Sequence, residues 1–250
     1  MDASVIIETE ELTKTYHSEL AVDRLTFTVN EGEIFGFLGP NGAGKTTTLL
    51  MLLGLTEPTS GKAKVLGLNP TRQPIQVKSK IGYLQENMGF YNDLNGVQML
   101  RFVAELNGLS GPEVEERIEG ALETVGLAAE SGKKIDAYSR GMRQRLGIAE
   151  LLIKDSKVAF LDEPTLGLDP DATNRMMALI ESLCRDKKMT ILLSSHMLHQ
   201  VQKICHRVGI MIKGRMVAQG PMDRLAREKL GIGQERYSLE EIYMKYFQEA

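Results

Sequence analysis

Cysteine is nearly missing. The 250 residues hold two, Cys184 and Cys205, and neither has a companion at metal-binding or redox spacing. With no signal peptide at the amino end, the expected setting is a reducing cytosol. Excess charge is missing as well: the formal net charge is −3, whereas a nucleic-acid binder carries a strong basic surplus somewhere, and the basic clusters here are short. Nucleic acid is therefore not an expected partner. Long apolar runs are also absent. The most apolar stretch, LLMLLGL at 49–55, falls far short of the roughly 18 residues of a membrane-spanning helix. There is no internal repeat and no low-complexity tract. What is present is 42% hydrophobic content, enough for a large core built as one domain or as one domain with an inserted lobe.

Short β-rich runs alternate with longer helical patterns, which predicts an α/β fold with a mostly parallel sheet. The runs are VII near 5, LTFTV at 25, IFGFL at 34, KVLG at 64, IGYL at 81, VAFL at 158, TILL at 190 and RVGIMI at 207. RMVAQG after KGR suggests a closing hairpin. Between Gln85 and Lys157 the strands stop. Met99, Leu100, Val103 and Leu106 recur at helical spacing up to Gly108, and Pro112 opens a second helix through Val114, Ile118, Ala121, Leu122 and Val125 before Gly126. The expected organisation is a core of residues 1–86 with 155–220, a helical insert at 87–154, and a C-terminal extension at 221–250. In that extension Ser238 and Glu241 form a capping box that starts a terminal helix SLEEIYMKYF. The charged pattern of 221–237 fits a surface helix and loop.

The segment GPNGAGKTT, Gly39 to Thr47, fits G-x-x-x-x-G-K-[ST] and lies between an apolar strand and a helix. The loop Gly39, Pro40, Asn41, Gly42, Ala43 and Gly44 can wrap a phosphate with the backbone N–H groups of every residue but Pro40, and the helix start adds positive potential. Lys45 is then placed for the β and γ phosphates, and the Thr46 hydroxyl for Mg²⁺. The expected ligands are a nucleoside triphosphate and Mg²⁺, with Thr47 completing the loop.

KVAFLDEP is a continuous apolar run that reads as a strand buried on both faces and ends in Asp162 and Glu163. Successive strand side chains point to opposite sides, so the two acids are expected to do different jobs. Asp162 suits the Mg²⁺ shell, and Glu163 is placed to polarise a water against the γ phosphate. Outside the company of a phosphate loop, both would be ordinary solvated strand-end acids.

YSRGMRQRL, residues 138–146, places Arg140, Arg143 and Arg145 at what reads as a helix start, with Ser139 as N-cap. Cations are slightly unfavourable there unless an anion arrives. Asp169 with Pro170 reads as the N-cap and first residue of another helix, a sufficient structural reason for both. His196, His199, Cys205 and His206 invite a metal-site reading. His199 and His206, if on one helix, would be separated by about 10 Å along its axis, while zinc ligands lie about 2 Å from one ion.

The phosphate loop, Gln85 in YLQE, YSRGMRQRL, FLDEP, LGLDP and His196 in SSHML occur in the order found in ABC transporter nucleotide-binding subunits, and the chain resembles that family over about residues 5–220. No N-K-x-D segment of the GTPase kind is present. The resemblance implies a P-loop ATPase core with a mostly parallel sheet, an antiparallel β part at the N-terminus and an inserted helical subdomain, which dimerises around two ATP molecules and drives a separate membrane permease. Tyr16 would stack on adenine, with a core tyrosine as the alternative; stacking reads a ring face, so base selectivity should be weak. Gln85 would touch Mg²⁺ or the attacking water at the joint with the insert. His196 would hydrogen-bond the γ phosphate, and Asp169 would contact the partner across the dimer. Lys45, Gln85, Glu163 and His196 form the implied catalytic set, with Thr46, Gln85 and Asp162 around Mg²⁺.

In the family the signature segment, here Ser139, Arg140, Gly141 and Met142, completes the ATP site of a second subunit. This sequence departs from the common Leu-Ser-Gly-Gly-Gln form at Tyr138, Arg140 and Met142. Loss of the Gln side chain removes a polar contact at position 142, while Arg140 offers a charged one. The GMRQR form and the closing SLEEIYMKYF resemble the branch paired with ABC-2 type exporter permeases for drugs, antibiotics or sodium. A second copy of the chain and such a permease are the implied partners, and the implied location is the inner face of the cell membrane. A soluble ABC-type ATPase of DNA repair or ribosomes, an ATP-dependent switch that does not hydrolyse, and an importer subunit stay open as alternatives.

Overall fold

The computed structural model describes residues 4–230 and 237–249. In chain order the elements are β1 (Val5–Tyr16), β2 (Glu19–Asn30), β3 (Ile34–Leu38), α1 (Lys45–Leu52), β4 (Ser60–Val65), α2 (Pro74–Lys78) and β5 (Ile81–Leu84). Helices α3 (Gly96–Leu106), α4 (Pro112–Thr124) and α5 (Arg140–Ile153) follow, then β6 (Val158–Asp162), α6 (Pro170–Lys187), β7 (Thr190–Ser195) and α7 (Leu198–Ile204). The chain closes with β8 (Arg207–Ile212), β9 (Arg215–Gly220), α8 (Met222–Leu230) and α9 (Leu239–Glu249).

Six strands form one sheet in the order β5-β6-β7-β3-β8-β9. All its pairs are parallel except β8 with β9. β3 and β6 are buried at every residue, as continuous apolar runs require of strands covered on both faces. Alternation along them feeds two cores. Phe35, Phe37, Val158, Phe160 and Leu192 join β1, β2 and α1, whereas Ile34, Leu38, Ala159, Leu161, Ile191 and Leu193 join the helices of the opposite face. Phe27 of β2 stacks on Phe35 and Phe37 with ring centroids 5.7 and 5.5 Å apart, binding the two sheets together.

The second sheet is antiparallel, β2-β1-β4. Its hairpin is longer than the short runs near 5 and 25 suggest. Charged residues such as Glu8, Glu10 and Glu11 interrupt the apolar pattern of β1, and register shifts between Thr9 and Leu12 and between Leu12 and Lys14 break strict alternation. The run at 64 belongs here, since β4 pairs with β1.

In the helical stretch, Asn95 caps α3 through a reciprocal bond pair with Gln98, and Pro112 opens α4. Helices α3, α4 and α5 pack on one another, and α5 also packs on β5 and α6. Leu106 departs from expectation: it is 70% exposed rather than on the buried face, where Met99 and Leu100 lie. The closing hairpin turns at Lys213 and Gly214, both with positive φ, as a two-residue turn of this type requires. The capping box of α9 is present, with Ser238 N donating to Glu241 and Glu241 N donating to the Ser238 hydroxyl. The helix expected in 221–237 is α8, and the loop expected after it at 231–236 lies outside the described residues. Among the described residues no helix is long and apolar enough to cross a membrane.

Candidate functional site

A parallel sheet puts the carboxyl ends of its strands along one edge, which is where ligands bind in open α/β sheets. Here the adjacent strands β6, β7 and β3 deliver Asp162, Ser194 and Leu38 to that edge, with Asp162 paired to Ser194 and Leu38 to Ser195. The loop after β3 then folds over the edge. Gly44, at φ 99°, ends the loop in a left-handed conformation, and a Cβ there would stand 2.4 Å from the Ala21 carbonyl oxygen. Only glycine fits. α1 begins at the next residue, so its free N–H groups face the loop interior.

The loop, Tyr16, Asp162 and Glu163 enclose a cavity of about 430 Å³. A larger cavity of about 520 Å³ lies against β2 and β9 and holds none of the motif residues. Inside the motif cavity Lys45 is buried, and its Nζ donates to the Gly39 and Pro40 carbonyls at 2.7 and 3.2 Å. Burial pushes its pKa down, and the nearby Glu163 and Asp162 carboxylates oppose that shift. Loop carbonyls therefore hold the ammonium where a phosphate would otherwise take its bonds. Tyr16 lies on the cavity wall and is 41% exposed, so it is not a core tyrosine; Lys14 Nζ sits 4.8 Å from its ring centroid.

The two acids diverge as expected, although the strand does not continue through both. Asp162 ends β6, and Glu163 turns away at φ 48°. Asp162 accepts from the Thr46 hydroxyl at 3.0 Å and from the Ser194 hydroxyl. Glu163 faces His196, with Oε2 2.9 Å from His196 Nδ1, and its Oε1 lies 3.7 Å from Lys45 Nζ, too long for a hydrogen bond. Glu163 Oε1 is thus a buried oxygen without a hydrogen-bond partner. Hydroxyl and carboxylate oxygens are the donors a hard dication takes, and Mg²⁺ is commonly held by few protein oxygens together with phosphates. The chemistry of Thr46 and Asp162 fits that pattern. Among the described residues no cluster of three or more His, Cys, Asp or Glu suits a metal. His206 instead accepts the Ile34 N–H at Nδ1, 3.0 Å away.

Gln85 stands outside the motif cavity. It lines a different cavity, of about 320 Å³, with Leu53 and Leu55 beyond α1, Val103 and Asn107 of the α3 end, and Glu150 and Lys154 at the α5 end. That is the joint with the helical stretch, as expected, but not the phosphate cavity. Glu86 lines the phosphate cavity instead. Two further residues escaped the sequence reading. Ser194 is identified only by its pairing with Asp162 across the sheet, and Glu86 only by the turn of the chain after β5.

The arginine-rich start is also more settled than its sequence suggests. Ser139 caps α5, its hydroxyl accepting from Met142 N at 3.3 Å. Arg145 donates to the Val125 and Gly126 carbonyls, each at 2.8 Å. Arg143 donates to Asn92 Oδ1 and to the Tyr138 and Asp136 carbonyls. Two of the three cations are therefore satisfied by this chain. Arg140 packs against Gly167, where an added Cβ would meet its guanidinium at 2.7 Å, and a Cβ on Gly141 would meet Ala172 and Leu168 at 3.4 and 3.7 Å. The 139–142 segment thus rests on the LGLDP turn. Asp169 caps α6 by accepting from Ala172 N at 2.8 Å, and that bond holds its carboxyl below the usual carboxylate range. Ser139, Arg140 and Asp169 are exposed, and none of them lines the chain's own phosphate cavity.

Residues 22–166 match the ABC transporter family. The chain is 42% identical over 224 residues to the bacitracin transport ATP-binding protein BcrA of Bacillus licheniformis, covering 90% of this chain and 72% of that protein. Among solved structures, an ATP-binding subunit of an ABC transporter superposes with a TM-score of 0.85 at 29% identity, covering 97% of this chain and 99% of that one. A dimeric ATP-binding cassette, in a post-hydrolysis state bound to ADP and Pi, superposes at 0.78 with 21% identity, covering 87% and 99%, which shows a shared fold. The chain belongs to the ABC transporter family as an ATP-binding, ATP-hydrolysing subunit.

Proposed function

We propose that two copies of this chain close around two ATP molecules, and that hydrolysis separates them to drive a membrane permease. The observation that carries the shared site is the split within one chain: Lys45, Thr46, Asp162 and Glu163 stand at one cavity, while the Ser139–Met142 segment, exposed at Ser139 and Arg140, stands outside it. A helix start whose N–H groups are capped only by Ser139 is a ready phosphate site for a neighbour.

Within the cavity the roles follow from partners. Backbone amides of Asn41 to Thr47 would cradle the phosphates, and Lys45 would exchange its loop carbonyls for them. Tyr16 offers a ring face for adenine. Thr46 and Asp162 would hold Mg²⁺, which when bound neutralises phosphate charge. Glu163, steered by His196, is the group placed to orient a water and take its proton. Asp169, capping α6, and Arg140, at the start of α5, are both exposed and would face the other copy.

We assign residues 1–86 with 155–220 to the nucleotide-binding core, 87–154 to a lobe that passes its motion to the permease, and 221–250 to an extension. Gln85, in the cavity between core and lobe, is the natural transmission point. The match to a bacitracin transport subunit supports an ABC-2 type export permease as partner, with the complex at the inner face of the cell membrane.

The test is sedimentation of Glu163→Gln with and without ATP and Mg²⁺. A shift from monomer to dimer on ATP is expected; a monomer at saturating ATP would overturn the shared site. Phosphate release by the parent chain separates an ATPase from a switch that only binds.

A further inference from the structure

The charge balance of the phosphate cavity is unusual for a site that must accept a polyanion. Three carboxylates line it, from Glu86, Asp162 and Glu163, and Lys45 is the one basic side chain among the described lining residues. Asp162 is bonded to Thr46 and Ser194, and Glu163 is placed against His196 and Lys45. Glu86 has no such commitment: it makes no hydrogen bond or ion pair with any described residue. It is half-buried, and its charge reaches both Lys45 and Tyr83. A carboxylate in such a place is either an idle acid at the end of a strand or a fixed charge that the ligand must meet.

The backbone decides which residue meets the ligand. β5 ends at Leu84; Gln85, exposed, goes to the cavity beside α3 and α5, and Glu86 goes to the phosphate cavity. An amide in that place would be neutral toward phosphate. A carboxylate repels it, in a setting where Glu163 Oε1 is already buried and short of a hydrogen-bond donor.

We propose that Glu86 sets the form of nucleotide this cavity accepts, rejecting metal-free triphosphate and admitting the magnesium complex. The inference rests on the nucleotide reading of the same cavity. Three carboxylates against one ammonium leave the side chains two negative charges in excess, and a dication arriving with the nucleotide offsets that excess. Without the dication, the triphosphate meets an uncompensated like charge. Glu86 acts here as a selectivity residue through its charge, with no part in bond making.

Calorimetric titration with β,γ-imido-ATP, once with Mg²⁺ and once with EDTA, gives an affinity ratio for each protein. In Glu86→Gln and Glu86→Ala the preference for the magnesium form should fall about tenfold, chiefly through tighter binding of the metal-free form. Glu86→Asp should keep the parental ratio. A ratio unchanged in both neutral variants, or lost equally in Glu86→Asp, would overturn the proposal while leaving the ATP site intact. If the parent chain binds neither form, the nucleotide reading itself fails, and this inference falls with it. Matching thermal melts establish that all variants are folded.

Discussion

Glu163 Oε2 and His196 Nδ1 lie 2.9 Å apart at the ends of neighbouring parallel strands, with the His196 N–H also directed at the same oxygen at 3.4 Å. One carboxylate oxygen is thereby fixed, and the other, Oε1, is left without a hydrogen bond. A general base can have this arrangement: one oxygen oriented, the other with no hydrogen-bond donor to compete for it. Glu163→Gln should keep nucleotide binding and lower turnover by about 10²–10⁴-fold. His196→Ala should also cut turnover, by a smaller factor, since it removes the orienting partner but leaves the carboxylate. Phosphate release measured beside nucleotide titration separates the two effects. Near-normal turnover in Glu163→Gln would remove Glu163 from the chemistry.

Ser139→Arg addresses the other half of the machine. Ser139 is exposed, and its hydroxyl caps α5 at Met142 N. Replacing it removes a cap worth about 1 kcal/mol and, on the proposed shared site, adds bulk and charge where a second copy would seat its nucleotide. ATP binding by the monomer should persist, because the residue does not line the chain's own cavity. Dimer formation in the Glu163→Gln background should disappear on a sizing column. Equal dimerisation with and without the substitution would contradict a shared site.

How much of this was legible in the sequence depends on the reach of each signal. Buried strands such as Ile34–Leu38 and Val158–Asp162 announce themselves by unbroken apolar runs, and the caps Ser139, Asp169 and Ser238 by local chemistry. The full hairpin of β1 and β2 was not legible, since charged residues and register shifts break the period of two. Gln85 and Glu86 are adjacent, and which one faces the phosphates is set by the turn after β5, a matter of backbone direction that residue types do not encode. The same holds for Arg143 and Arg145. Their sequence suggests a basic face awaiting an anion, and only folding shows the carbonyls that occupy them.

Arg145 gives a stability prediction from that finding. Its guanidinium donates to the Val125 and Gly126 carbonyls just past the end of α4, where helix carbonyls otherwise lack partners. Burial holds its pKa down, with Arg175 adding to the effect, so the contact is partly shielded from water. Arg145→Met keeps most of the aliphatic stem and removes the donors. The expected loss is about 1–3 kcal/mol of unfolding free energy in urea titrations. No loss would mean that water replaces the guanidinium without penalty.

Glu150 supplies a pH-dependent signature. It lines the cavity between core and helical stretch, beside Lys154 and across from Lys78 and Tyr83, and burial raises its carboxyl from 4.5 to about 7, with Lys154 opposing the shift. Lys154 cannot offset the burial fully, because its Nζ is already donating to the Lys78 and Ile81 carbonyls, each at 2.9 Å. A carboxyl whose folded pKa is raised binds its proton more tightly in the folded state than in the unfolded chain. Its contribution is therefore fully present below about pH 4.5 and is lost progressively as pH climbs to about 7, beyond which the folded protein carries an incompletely compensated charge. Glu150→Gln removes this titration. Relative to the parent, the variant should gain stability as pH rises from 5 to 8, by about 1–3 kcal/mol. Urea unfolding of both proteins across that range is the measurement, and the quantity to follow is their difference, since every other carboxyl titrates in both. Parallel curves would show that Glu150 ionises in the folded protein as freely as it does in water.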